Sequence, residues 1–279
     1  LNLPAPISQG TFDPSREAVF EPGRDRRCYL PHLKLPPAAV CVELSRLAYI
    51  GNRRVLTSLL KGLGFTQVTH YGARGASRAF LAQSEKVSAL VFKGTDSIEE
   101  WLQNIKFAQR HWPPGGKVHR GFIEAFGPLW RELKADLTEL KSPVFFTGHS
   151  LGGAMASLAA THVAPSGLIT FGAPRVGDQA FIALLEKFSV DRFVSCSDLV
   201  PTLPPEALGF HHAGVMHFIG EDRRISTSPT DEHVTRERLS ASLNYQKNIA
   251  WKRGNLRLRE MADHAPINYV AAVLGRELA

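Results

Sequence analysis

Cleaving an ester or amide without a cofactor takes a hydroxyl, an imidazole and a carboxylate acting in concert. Ser150 stands in Gly148-His149-Ser150-Leu151-Gly152, a G-x-S-x-G pattern that occurs once in the chain. The spacing alone is a weak signal, and its setting strengthens it. The apolar run PVFFT precedes it as a strand candidate, and Leu151 to Val163 follows as a helix candidate. A serine on such a strand-to-helix turn is lifted clear of the backbone. Flanking glycines let the two elements pack closely, and the helix start aims free N–H groups at the reacting centre. The other reading is a tight turn whose serine only caps the helix.

A serine hydroxyl is a poor nucleophile without a base and a group that orients the base. Asp198 lies in SDLVPTLPP, just past the strand candidate RFVSC, on the sheet edge where such sites gather. Its alternative role is a turn-forming residue before Pro201. Five histidines follow it: His211, His212, His217, His233 and His264. His264 sits in ADHAPINYVAAVLG, on a late loop before a final helix, from which a base can reach back over a sheet. A structural histidine stays open as the alternative there.

These residues need a scaffold. Residues 1–36 are proline-rich and aperiodic, and read as an arm lying on a domain. Pro37 to Ile50 has a helical pattern closed by Gly51 and Asn52. Three β-like runs follow, FTQVTHY, SRAFLA and VSALVF. From Val87 onward strands and helices alternate. Ser97 to Phe107 is a helix candidate, and Gly121 to Lys141 places Phe122, Phe126, Leu129, Trp130, Leu133, Leu137 and Leu140 on one helical face. LITF, RFVSC and VMHFIG read as strands, and Asp178 to Phe188 and DEHVTRERL as helices. Alternation of this kind predicts one α/β domain over 37–279, with a mostly parallel sheet flanked by helices on both faces.

The chain has 279 residues, 44% of them hydrophobic and 21% charged, which suits one large globular domain. Its formal net charge is +7 and its pI about 9.5. A basic balance serves solubility first, and is also compatible with anionic membranes or acidic substrates. Part of it clusters in WKRGNLRLRE (Trp251 to Glu260), without a zinc-finger or RNA-recognition motif, so nucleic acid is not an expected partner. Cys28, Cys41 and Cys196 are too few for a disulfide framework, and free buried thiols are expected over a Cys28–Cys41 bridge. No apolar run reaches the ~18 residues of a membrane span. No signal segment stands out and the cysteines form no paired set, which favours a cytoplasmic setting. The chain opens on Leu1, so secretion with an upstream segment removed is the alternative. There is no HExxH motif or nucleotide-binding glycine loop, and the reading invokes no metal and no cofactor.

Several segments together resemble the class 3 lipases, the family of the fungal-type triacylglycerol lipases. They are VFKGTDSIEEWLQNIKF, KVHRGFIEAFGPLWREL, VFFTGHSLGGAMASLAA, LITFGAPRVGDQAF, SDLVPTLPP with GFHHAG, and DHAPINYV. They cover roughly Ser88 to Val270, and the first eighty residues match only through ELSRLAY. The resemblance implies an α/β-hydrolase fold with a helical lid, and a catalytic triad of Ser150 as nucleophile, His264 as base and Asp198 as its orienting acid. It places the oxyanion hole at the Leu151 N–H and at Thr95, where relatives carry serine, with Lys93 in place of arginine. It makes Ser97 to Phe107 a lid over the site whose apolar face, Ile98, Trp101, Leu102 and Ile105, meets substrate and a lipid–water interface. His119 and Arg175 match family positions read as structural, and His149 fills the variable position of the serine motif. The implied activity is that of a triacylglycerol lipase. Feruloyl esterase and phospholipase A1 are alternatives on the same fold, and a catalytically silent lipid- or partner-binding protein is the alternative from another class.

Overall fold

The structure, a computed structural model, describes residues 12–72, 78–104, 106–138 and 143–275. Its strands are β1 (Gln67–Tyr71), β2 (Ala79–Gln83), β3 (Ser88–Phe92), β4 (Gln109–His111), β5 (Lys117–His119), β6 (Val144–His149), β7 (Gly167–Phe171), β8 (Val190–Ser195), β9 (Val215–Ile219) and β10 (Ile225–Thr227). Its helices are α1 (Arg16–Phe20), α2 (Pro37–Leu47), α3 (Arg53–Gly62), α4 (Ile98–Asn104), α5 (Arg120–Thr138), α6 (Leu151–Ala160), α7 (Gln179–Leu185), α8 (Asp231–Asn248), α9 (Arg259–Ala262) and α10 (Pro266–Leu274).

Among the described residues, eight strands form one sheet in the order β1-β2-β3-β6-β7-β8-β9-β10. The run from β3 to β9 is parallel, and β1, β2 and β10 add antiparallel edges. Parallel strands are buried on both faces, which is why every residue of SALVF and GLITF is buried, Ser88 and Thr170 included. Side chains of successive strand residues go to opposite faces. In β3, Ala89 and Val91 join the core under α2, α3 and α10, while Leu90 and Phe92 join the core under α5, α6 and α7. This is the mostly parallel sheet with helices on both faces that the alternating pattern predicts, and the α/β-hydrolase architecture that the resemblance implies.

Helix α2 is buried from Ala38 to Leu47, charged residues included. Arg46 donates to Glu43 at 2.6 and 2.9 Å and to the main-chain oxygens of Asp25 and Arg27, and Tyr29 N donates to Glu43. The buried pair therefore ties the stretch 25–29 to the helix beneath it. Breaking such a pair strands a charge in the core, at about 3–5 kcal/mol.

Several elements differ from the sequence expectation. Helix α2 ends at Leu47 with Ala48 as its C-cap, short of the expected Ile50 and of Gly51, and Asn52 instead starts α3 by accepting from the Arg54 and Val55 N–H groups. That ten-residue helix buries only Leu56 and Leu60, a stripe too sparse to register in RRVLTSLLKG. The β4–β5 hairpin and β10 have three residues per strand, too few for period-2 alternation to be legible. The proline-rich stretch 1–36 contains the short helix α1, capped by Ser15. Helix α4 ends at Asn104 rather than Phe107, and Ile105 lies outside the described residues. Leu140 and Lys141 lie outside them too. Cys28, Cys41 and Cys196 are free thiols, the last two buried. Among the described residues no helix is long and apolar enough to cross a membrane.

Candidate active site

Ser150 lies between β6 and α6 with φ 58° and ψ −131°. A side chain with a Cβ holds that backbone conformation at a cost on the order of 1–3 kcal/mol, so its surroundings must impose it. They do so by close packing. A Cβ on Gly148 would sit 2.3 Å from the Gly152 carbonyl carbon, and one on Gly152 would sit 2.1 Å from the Phe92 oxygen. Ser150 N donates to the Phe171 oxygen at 2.9 Å, which couples the turn to the end of β7. Its hydroxyl caps no helical N–H and is free for another partner.

That partner is His264. The ring Nε2 lies 2.9 Å from Ser150 Oγ, and Nδ1 lies 3.0 and 2.9 Å from the two oxygens of Asp198. Side chains separated by 114 and 66 positions in sequence thus form one relay. All three are buried. Asp198 is further held by Val200 N at 2.9 Å and by the Tyr269 hydroxyl at 2.6 Å. That hydroxyl accepts from Ser195 N at 3.0 Å, so its own proton is directed at Asp198. Burial, and the adjacent Asp198 charge, push the Tyr269 phenol well above its usual range and keep it a donor. Gly172 makes room for this contact. It has φ +58°, and a Cβ there would meet Asp198 Oδ2 at 2.8 Å and the Tyr269 oxygen at 2.9 Å.

A second imidazole packs beside the first. The His149 ring lies 4.6 Å from that of His264 and 5.6 Å from that of Tyr269, and its Nδ1 is 2.8 Å from the Tyr49 hydroxyl. Burial, and then the neighbouring His264, hold His149 well below the usual imidazole range, so it stays neutral. Burial also raises the Tyr49 phenol, which therefore keeps its proton to donate to His149. Tyr49 stands against the loop that carries Thr95: a Cβ on Gly94 would fall 2.0 Å from its hydroxyl oxygen.

Thr95 and Leu151 line one cavity of about 280 Å³ together with Lys93 and Met155. Thr95 Oγ1 accepts from Ser97 N at 3.1 Å and steadies the entry to α4, and Lys93 pairs with Asp96 at 2.7 Å. Ile98 of α4 is buried, and Trp101 and Leu102 are half-buried. The Trp101 ring stacks on Phe122 at 6.4 Å, and the two line an apolar cavity of about 370 Å³ with His119 and Leu151. The inward face of α4 therefore borders the residue that follows the nucleophile.

The other histidines have separate partners. His211 lies 3.3 Å from Glu206, His212 2.8 Å from the Pro201 oxygen, His217 2.7 Å from Asp191, and His233 3.4 Å from Arg236. Arg175 donates to the Thr202 and Pro204 oxygens and pins the loop after Asp198. Sequence reasoning passed over Tyr49, Gly172 and Tyr269. The one available signal was a lone tyrosine in each of the apolar stretches SRLAYI and PINYVAAVL. Among the described residues no cluster of three or more His, Cys, Asp or Glu side chains is placed to hold a metal ion.

Residues 89–208 match the family model "Lipase (class 3)". Over that stretch, which carries Thr95, Ser150 and Asp198, the chain is similar to the class 3 lipases. It is 39% identical to a lipase of Rhizomucor miehei over 157 residues, 50% of this chain and 43% of that protein. It is 31% identical to the secreted mono- and diacylglycerol lipase 1 of Fusarium solani over 163 residues, 53% of this chain and 49% of that one. The chain spans about half the length of the curated relatives it matches. Among solved structures it superposes with a TM-score of 0.50 and 28% identity on a triacylglycerol lipase described as having a serine-protease triad as its catalytic centre. That likeness covers 73% of this chain and 79% of the other. The class 3 match ends at Leu208, so His264 falls outside it and meets Ser150 through the fold alone.

Proposed function

We propose that this chain is a serine hydrolase that cleaves carboxylic esters, with acylglycerols as substrates at a lipid–water interface. The observation that carries the reading is the buried relay of Ser150 Oγ, His264 and Asp198, with 2.9 Å on either side of the imidazole. His264 Nε2 takes the Ser150 proton as Oγ adds to the ester carbonyl, and Nδ1–H stays directed at Asp198. Asp198 fixes the tautomer and stabilises the imidazolium. His264 then protonates the departing alcohol, leaving an acyl group on Ser150. Water, deprotonated by the same nitrogen, releases the acid and restores the serine. The Leu151 N–H and the Thr95 N–H and hydroxyl are the donors for the oxyanion, an arrangement whose loss typically costs about 100- to 1,000-fold in rate. Helix α4 serves as the lid, with Ile98, Trp101 and Leu102 facing acyl chains, and Ile105 is assigned with them on its spacing alone.

One domain over 37–279 carries this chemistry, with residues 1–36 assigned as its arm, of which 1–11 lie outside the described residues. The setting we favour is secreted, since the Fusarium relative is named a secreted lipase. The cytoplasmic expectation rested on the lack of a visible signal and of a paired cysteine set, and the relatives lend it no support.

Two measurements test the reading. A serine-directed phosphonate labels Ser150 in the folded protein, and Ser150→Ala abolishes both labelling and p-nitrophenyl ester hydrolysis. Retention of a few per cent of the parent activity by purified Ser150→Ala would move the nucleophile elsewhere. Rates on short and long p-nitrophenyl esters, triolein, phosphatidylcholine and methyl ferulate then rank the substrate classes. A preference for methyl ferulate would replace acylglycerols by phenolic esters.

A further inference from the structure

Four large apolar side chains stand out in solvent at one end of the chain: Trp251 is 71% exposed, Leu239 63%, Leu243 62% and Leu258 56%. They adjoin. Positions 239, 242, 243 and 246 share one side of α8. Ser242 donates to Glu260 at 3.0 Å and Gln246 donates to the Arg257 oxygen at 2.6 Å, which lays 257–260 along that side. The Arg257 guanidinium rests 4.8 Å over the Trp251 ring. Lys247, Lys252 and Arg253 surround the patch, all exposed. Carboxylates border it: Glu260, bonded to Ser242, Glu221, bonded to Arg259 and Asn244, and Asp96, Glu99 and Glu100 across the cavity beside Gly254.

We propose that this patch is a docking site for an anionic lipid surface, separate from the lid. An aromatic ring with leucines beside it enters the headgroup–acyl boundary, and a ring of lysine and arginine meets the phosphates. The charge argues against a second copy of the chain as the occupant. A two-fold pairing would set these cations against one another, and lysine is depleted at protein–protein interfaces. The location gives docking a purpose. Gly254, inside the patch, shares a cavity of about 590 Å³ with Asp96, Ser97, Glu99 and Glu100 at the start of α4. A lipid surface held at Trp251 is therefore next to the acidic start of the lid, which it neighbours without covering. This purpose rests on the ester-hydrolase reading, but the binding itself does not.

The test is cosedimentation of the full chain, carrying Ser150→Ala to prevent turnover, with vesicles. One set is pure phosphatidylcholine and the other is phosphatidylcholine and phosphatidylglycerol in equal parts. The chain binds the mixed vesicles, and added salt weakens that binding. Each cation near an anionic surface strengthens binding about fivefold, so Lys247→Gln/Lys252→Gln/Arg253→Gln weakens it roughly a hundredfold. Trp251→Ser weakens it roughly tenfold through lost apolar burial. On the Ser150 background both sets of substitutions leave hydrolysis of a water-soluble short-chain ester unchanged, which excludes misfolding. Equal binding to both vesicle types, or a triple variant within twofold of its parent, overturns the proposal. So does a patch variant that changes the oligomeric state instead, which would mark a self-association face. Vesicle binding without phosphonate labelling of Ser150 sinks the hydrolase reading alone, and labelling without vesicle binding sinks the docking site alone.

Discussion

Tyr269→Phe isolates one hydrogen bond behind the candidate active site. Phenylalanine keeps the ring that packs on Phe171 and His149. It removes the hydroxyl that donates to Asp198 Oδ2 at 2.6 Å and accepts from Ser195 N at 3.0 Å. Asp198 keeps Val200 N and His264, but Oδ2 is left with the imidazole alone. A hydrogen bond to a charged group contributes about 1.5–3 kcal/mol. If that share is felt through the orientation of His264, kcat/KM falls about 10- to 150-fold. The carboxylate also loses a donor that shares its charge, so it favours the imidazolium more strongly. The acid limb of kcat/KM against pH therefore moves to higher pH. Stability falls as well, by roughly 1–3 kcal/mol, because the buried Ser195 N–H is left without its acceptor. The assay is hydrolysis of a soluble p-nitrophenyl ester across pH, with thermal unfolding measured beside it. A lower Tm with kcat/KM within threefold of the parent and an unshifted acid limb would refute the reasoning. Tyr269 would then be a core residue that Asp198 does not need.

Other perturbations probe the same arrangement from different sides. His264→Ala lowers kcat by several orders of magnitude, whereas His211→Ala and His233→Ala, whose partners lie elsewhere, change it little. The opposite ranking in steady-state kinetics would displace His264 as the base. Gly172→Ala forces a Cβ to within 2.8 Å of Asp198 Oδ2 at a φ of +58°. The backbone alone costs about 1–2 kcal/mol there, so Tm drops and kcat/KM falls by at least about tenfold. An alanine variant with parental kinetics would show that Asp198 tolerates displacement. Stability also responds to acid through His212, which burial, with Arg192 and Arg175 nearby, pushes down from 6.5 to about 3. The unfolded chain takes up this proton below pH 6.5 while the folded chain does not. Its stabilising effect is therefore whole above that pH and is lost as pH falls, by up to about 1 kcal/mol per pH unit. His212→Asn, which can still donate to the Pro201 oxygen, flattens the fall of Tm with acid, and an unchanged slope would assign the loss to other groups.

Much of this was legible without coordinates, because local patterns report local physics. The short, mostly apolar runs of β3, β6 and β7 announce a sheet buried on both faces. The glycines around Ser150 announce a close approach, which the 2.1 Å between a Gly152 Cβ and the Phe92 oxygen makes concrete. Asp198 and His264 were legible by residue type, by order and by resemblance to the class 3 lipases. Helix α3 and the three-residue strands were not, because a stripe of two leucines or a run of three residues is too short to carry a period. The extent of α4 was only partly readable, since apolar spacing fixes a face and not an end.

The sequence by itself determined the elements, the residue types and their order, since helix and strand periods and glycine-rich turns are properties of neighbouring residues. Order and resemblance singled out His264 among five histidines, but tertiary structure alone decided that it meets Ser150, because a hydrogen bond of 2.9 Å across 114 positions depends on where the ends of β6, β8 and α9 are carried. It also decided that Tyr269 stands behind Asp198 and Tyr49 behind His149, and that Leu243, Leu258 and Trp251 share one exposed face. Contacts between distant parts of a chain follow from how its layers pack, and no local pattern records them.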